Sequence, residues 1–200
     1  MAAEALEHWA ASQANIRVHR MAVGAEMGRA VMWHHIDHDP SSSLLPTTSI
    51  NDSIFPQTRR RCEIEVAITT LDSHFGPYLA TGMGRLLVKI DVQGFEDRVI
   101  AGGGSKIFRI ADIAILEICV RPLYEGQPGF SEILNALNEL GLFYIGNLEQ
   151  VHDAKGQPIY FDAVFARAFP SPLMIKKRQA TCQSLTQNDG FDIKLLRAFV

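Results

Sequence analysis

Carboxylates at the ends of apolar runs are the side chains of this sequence best placed to do chemistry. Asp91 closes the run Leu86-Leu87-Val88-Lys89-Ile90, and Glu117 stands near the end of Ile113-Ala114-Ile115-Leu116-Glu117-Ile118. Runs of this kind read as strands buried on both faces. A buried strand that delivers a carboxylate at its carboxyl end, then turns into a helix, is how open α/β sheets build sites. Asp91 there would orient a hydroxyl or take its proton. The plainer reading is that Asp91 caps the helix that follows. Glu96 falls in the first turn of that helix, where the dipole favours an acid whether or not a site is present. Glu117 faces the same crevice, with a structural salt bridge as its rival role.

The other reactive residues are less ordered. His34, His35 and His38, with Asp37 and Asp39, are irregularly spaced on a strand end and a loop, so no metal site is expected. Cys62, Cys119 and Cys182 lack metal spacing and are odd in number, which suits free thiols. No Gly-x-Ser-x-Gly elbow occurs, and no cysteine has a histidine placed as its base. Gly102-Gly103-Gly104-Ser105-Lys106 follows a helix rather than a strand. It is read as a helix stop and not as a phosphate loop.

The elements that must position these acids follow from periodicity. Residues 2–12 read as a helix. Residues 16–23 and 29–34 read as strands, and 36–58 as a long loop, functional or mobile. Residues 62–69 alternate as a strand, with Ile64, Val66 and Ile68 on one face. Then come strand 86–91, helix 95–101 and strand 113–118. Helix 130–140 follows, with Ile133, Leu134, Leu137 and Leu140 on one face and Gly141 as its stop. Strands 142–146 and 159–167 form a hairpin, and 191–199 reads as a terminal helix. Strand and helix alternate over the second half, so a mostly parallel sheet ending in an antiparallel hairpin is expected. Lys89, inside an apolar strand, is expected to snorkel or pair with an acid.

Composition bounds the class. The chain has 200 residues, 47% hydrophobic and 20% charged, with a net charge of -3. That is enough for one domain with a real core, and it excludes a disordered chain. The weak charge predicts no nucleic-acid partner, and Arg59-Arg60-Arg61 and Lys176-Lys177-Arg178 read as solvated surface. No apolar run approaches spanning length and no signal-peptide pattern opens the chain, so no membrane association and a cytoplasmic location are expected.

With these elements in order, Leu86 to Glu96 resembles the Leu-Lys-Ile-Asp-Val-(Glu/Gln)-Gly-x-Glu signature of the FkbM-type methyltransferases. Further segments resemble the family in sequence order. They are Ala22-Val23-Gly24, Ser41-Ser42-Ser43-Leu44, Thr69-Thr70-Leu71-Asp72, Leu116-Glu117, Gly141-Leu142-Phe143 and Asp162 to Arg167. The resemblance spans roughly residues 1–168, with 169–200 as a tail. It implies a partial Rossmann-like class I α/β sheet and S-adenosylmethionine-dependent methyl transfer to a small-molecule or glycan hydroxyl. It implies a catalytic role for Asp91, Glu117 and Glu96 and cofactor contacts at Ala22, Val23 and Asp91. Substrate contacts are implied at Ser42, Ser43, Gln93 and Tyr124. Gln93 stands where many members carry Glu, so it can hydrogen-bond but cannot act as a base.

The family's Asp-Val-Gly-Ala-Asn-x-Gly loop and its Phe-Glu-Pro strand end have no counterpart in these residues. The resemblance therefore begins after the family's second strand. In the family's strand order, 3-2-1-4-5-7-6, the third and fourth strands would lose the neighbours between them. Their edges would lie open to self-association, or the sheet would close differently. The alternative to an enzyme is a non-catalytic remnant or interaction protein that keeps the C-terminal half of the fold.

Overall fold

The computed structural model describes residues 2–13, 15–78, 85–167 and 193–199. It is a mixed α/β structure with two sheets. The smaller sheet holds β1 (Ala22–Val23), β2 (Gly28–His35) and β3 (Arg61–Thr69), in the order β1-β3-β2. β2 pairs antiparallel with β3 along its whole length, whereas β1 pairs in parallel at two positions only, Ala22 with Ile68 and Val23 with Thr69. The strand expected over 16–23 is thus reduced to its last two residues.

The larger sheet holds β4 (Arg85–Asp91), β5 (Ile113–Cys119), β6 (Phe143–His152), β7 (Pro158–Ala166) and β8 (Ile193–Phe199). Its order is β6-β7-β5-β4-β8. β4 runs parallel to β5 and β8, and β6 and β7 form the antiparallel hairpin that the sequence pattern predicts. The correction concerns residues 191–199, read above as a helix. Residues 193–199 are a strand in continuous register with β4, from Arg85 opposite Ile193 to Asp91 opposite Phe199. Its pattern, Ile-Lys-Leu-Leu-Arg-Ala-Phe, suits either state in isolation. The unpaired edge of β4 decides, because every N–H and C=O on that edge needs a partner. The sheet does close differently: the β4 edge expected to lie open is covered.

The expectation that β4 is buried on both faces is also corrected. Leu86, Val88 and Ile90 are buried, while Leu87, Lys89 and Asp91 between them are only half-buried. The buried set joins Ala114, Leu116 and Ile118 of β5 and Ala163 and Phe165 of β7. Helices α4 (Glu96–Gly103) and α6 (Phe130–Glu139) pack on that face through Val99, Ile100, Ile133 and Leu137.

α4 ends at Gly103 with Gly104 as its C-cap, as the helix-stop reading expects, and its glycines serve close packing as well. A Cβ on Gly102 would lie 2.0 Å from the carbonyl oxygen of Gly24, so only glycine lets this helix meet that turn. A short helix, α5 (Ile107–Ile110), follows unpredicted. The preceding amides of Ser105, Lys106 and Ile107 donate to the Asp72 carboxylate at 2.8, 3.0 and 2.8 Å. Asp72, in α3 (Leu71–His74), thus occupies the N–H groups that a phosphate would need. Helix α1 (Ala2–Ala11) completes the described N-terminal part.

The segment 36–58 is not a solvated loop. It contains helix α2 (Ser49–Ile54), capped by Thr48, and it buries Ser42, Ser43, Thr47, Asn51 and Thr58. Leu45, Ile50, Ile54 and Phe55 pack against a second cluster of Cys119, Leu123, Tyr124 and Ile159 at the carboxyl end of the sheet. Lys176-Lys177-Arg178 and Cys182 lie outside the described residues.

Candidate functional site

The site forms where β4 and β5 end. Asp91 is the last residue of β4, and a sharp turn through Gln93 and Gly94 leads into α4. Gly94 has φ +93°, and a Cβ there would lie 2.9 Å from Cβ of Tyr124, so both conformation and space require glycine. Glu96 is almost wholly buried and accepts a hydrogen bond from Gly94 N at 3.1 Å. Burial pushes its carboxyl up to about 7, against backbone N–H bonds that favour the charged form. Glu96 therefore clamps the turn that aims Asp91 and does not line the cleft beside it. The N-cap of α4 is Phe95, without a side-chain cap bond.

Gln93 is the hub. Its Nε2 donates to Asp91 Oδ1 at 2.8 Å and to Glu117 Oε1 at 2.7 Å. Its Oε1 accepts from the Tyr124 hydroxyl at 2.6 Å, and its backbone carbonyl accepts from Ser43 Oγ at 2.7 Å. The Tyr124 hydroxyl also reaches the Ser41 carbonyl at 3.1 Å. Gln127 fixes the loop that carries Tyr124. Its side chain accepts from the amides of Leu123 and Tyr124 and donates to the carbonyls of Cys119 and Arg121.

A cleft of about 270 Å³ opens beside this network, on the sheet face that α4 and α6 leave uncovered. Lys89, Asp91, Glu117, Glu149, Tyr160 and Asp162 line it. Lys89 Nζ donates to Asp162 Oδ1 at 2.9 Å and lies 3.8 Å from Asp91 Oδ2. The expected pairing of that lysine is thus met, and Asp91 has a cation nearby. Glu117 differs: burial first, then the Asp91 charge, push its carboxyl up to about 8, and the Gln93 hydrogen bond only partly opposes them. Its partner is a neutral amide rather than a cation, so the structural salt bridge weighed above is not what holds it. Glu117 therefore keeps its proton at neutral pH.

The sequence-derived candidates separate into two groups. Asp91, Gln93, Glu117, Ser43 and Tyr124 come together, with Glu96 beneath them. Tyr124 is 2% exposed and acts through Gln93 rather than as pocket wall. Ser42 lies apart, accepting from His35 N at 3.2 Å. Ala22 and Val23 are buried, and Val23 is part of the core cluster.

Sequence pattern alone does not single out Glu149, Tyr160 and Asp162 as site residues. Asp162 had a signal, a lone acid in an apolar strand opposite Glu117 in register. Glu149 had none, since its place depends on the irregular pairing of β6. Among the described residues no three His, Cys, Asp or Glu side chains are grouped to hold a metal ion. His34 instead lies 3.1 Å from Asp39, and His38 contacts Ser41 Oγ. Of the basic cluster, Arg60 pairs with Asp37 and Arg61 with Asp52. No described helix is long and apolar enough to cross a membrane.

In comparison with known proteins, the family model described as Methyltransferase FkbM domain matches residues 2–144. No curated protein and no solved structure matches.

Proposed function

The chain belongs to the FkbM methyltransferase family, and from that premise we propose that its cleft receives a hydroxyl compound for O-methylation. The observation that carries this reading is the pair of strand-end carboxyls, Asp91 and Glu117, joined by Gln93 at the wall of one cleft. Asp91 is the base: its carboxylate accepts a hydrogen bond from the acceptor hydroxyl and takes that proton, leaving the oxygen a nucleophile. Glu117, protonated, donates a hydrogen bond that holds the acceptor in place.

The lining also points to a class of acceptor. Four carboxyl side chains and one lysine face the cleft, so a phosphorylated or carboxylated acceptor would meet like charge. A neutral polyol such as a sugar fits better. The volume lies just under the roughly 300–1,000 Å³ of typical small-molecule pockets, which suits a single small acceptor group. The strand order β4-β5-β7-β6 supports a class I, Rossmann-like arrangement.

The family uses S-adenosylmethionine as methyl source, and we propose the same donor here. The described residues do not form its seat. A Cβ on Gly24 would meet Ile68 and Phe95 at 2.8 and 2.9 Å, so that turn is filled rather than a cradle. The amides after Gly104 are taken by Asp72, and the β4 neighbour opposite Asp91 is Phe199.

The test is transfer of a labelled methyl group from S-adenosylmethionine to neutral glycosides and to their phosphorylated counterparts, with calorimetry of donor binding. Label is expected in the neutral compounds, and Asp91→Asn is expected to lower transfer by about 10²–10⁴-fold while the chain stays folded. Absence of both heat and transfer from a folded chain would overturn the reading.

A further inference from the structure

Among the described non-glycine residues, Gln93 alone has a positive φ, 53°. Such a backbone persists where its surroundings over-determine it, and such strain gathers at functional sites. Here the restraints come from both sides of the turn. Ser43 Oγ holds the Gln93 carbonyl, and Tyr124 holds its side-chain oxygen. With Oε1 fixed, the amide orientation is fixed too. Both Nε2 hydrogens then point at carboxylate oxygens, within 2.8 Å of Asp91 on one side and Glu117 on the other.

We propose, resting on the methyl-transfer reading above, that Gln93 is a positioning residue that fastens Asp91 and Glu117 into one unit sharing a single proton. Two carboxylates bridged by one nitrogen repel when both are charged, so the pair holds a proton between them. An oxygen that already accepts an amide N–H is the poorer place for it. On Glu117 the proton therefore sits on Oε2 rather than on Oε1. The surrounding charges keep it on Glu117. Lys89 reaches Asp91, whereas Glu117 is surrounded by Asp91, Glu96 and Asp162. Glu149 and Tyr160 on the facing strands add no positive charge. A glutamate in place of Gln93 would bring a third acid instead of two donors and dissolve the unit.

The test is a carboxyl ¹³C NMR titration of the full chain, without methyl donor or acceptor, comparing the native protein with Gln93→Gly, Gln93→Asn and Tyr124→Phe. Glycine and asparagine both tolerate the left-handed backbone, so these variants remove or shorten the bridge without forcing the turn. In Gln93→Gly the Glu117 midpoint is expected to rise by about one pH unit, because the donor that favours its charged form is gone. Gln93→Asn, one methylene short of spanning both acids, is expected to shift it in the same direction and gives the same reading should Gln93→Gly not fold. Tyr124→Phe is expected to give a smaller rise, since it frees the amide to turn. An unmoved midpoint in folded variants overturns the assignment, whatever the methylation assay shows. A moved midpoint in a chain that transfers no methyl group keeps the assignment and removes the function proposed above.

Discussion

The two faces of the larger sheet are built from alternate residues of the same strands, yet they do opposite work. On one face Val88, Leu116 and Phe165 are fully buried beneath α4 and α6. On the other, Lys89, Glu117 and Asp162 are half-buried around a polar cleft. One peptide unit separates Leu116 from Glu117, so backbone conformation cannot explain the contrast. The difference lies in what covers each face. Helices remove water from the first face and make it a source of stability. The second holds acids close together and partly withdrawn from water, and burial, then the neighbouring Asp91 charge, raise the proton affinity of Glu117.

The sharpest way to break this contrast is at the covered face. Gly102→Ala is expected to cost more than about 4 kcal/mol, because its Cβ would collide with backbone rather than with a side chain able to move. A melt monitored by circular dichroism would show a chain unfolded at ordinary temperature. Leu116→Ala is expected to cost about 2–5 kcal/mol in denaturant unfolding. Glu117→Gln, the next residue, is expected to leave stability at pH 8 equal or higher while methyl transfer falls. If it destabilised as much as Leu116→Ala, the division of labour between the faces would be wrong.

The pH dependence sharpens the comparison further. In the folded chain Glu96 and Glu117 hold protons up to about 7 and 8, above the ordinary glutamate value of 4.5. The folded state thus binds more protons than the unfolded state across that interval. Their contribution to stability is complete below pH 4.5 and is lost as pH rises through 7 and 8. Melting temperature is expected to fall between about pH 5 and 8 on this account. Glu96→Gln and Glu117→Gln should each flatten part of the slope, the second at its upper end. The smallest effect is expected from Lys89→Met, about 1 kcal/mol, because the ion pair with Asp162 remains in reach of solvent. The same change should move the Glu117 midpoint upward by removing the nearby cation.

Much of the larger sheet could be read from the chain, and its reasons are local. Residues 86–91 and 113–118 carry apolar strand patterns, and 130–140 a helical one, each long enough to name its state. Asp91 and Glu117 were legible because each apolar run carries an acid at or near its carboxyl end; that the two lie side by side is set by the register of β4 and β5. Segment 36–58 was not legible. Its order depends on Tyr124 and Leu123, more than sixty residues away, pairing with Thr47 and Thr48. The glycine run was legible as a helix stop, but the packing role of Gly102 was not, because the carbonyl it meets belongs to Gly24, far off in sequence.

By itself the sequence determined the alternation of elements, the family and the two acids at the strand ends, since these are properties of short windows and of residue order. The tertiary structure alone decided three other things. It placed 193–199 as a parallel strand, because an ambiguous pattern takes the state its partner edge requires. It left one sheet face open to form the cleft. And it turned Gln93, a residue that cannot act as a base, into the bridge between two that can, because a hydrogen-bond network is fixed only when segments distant in sequence have been brought to one point.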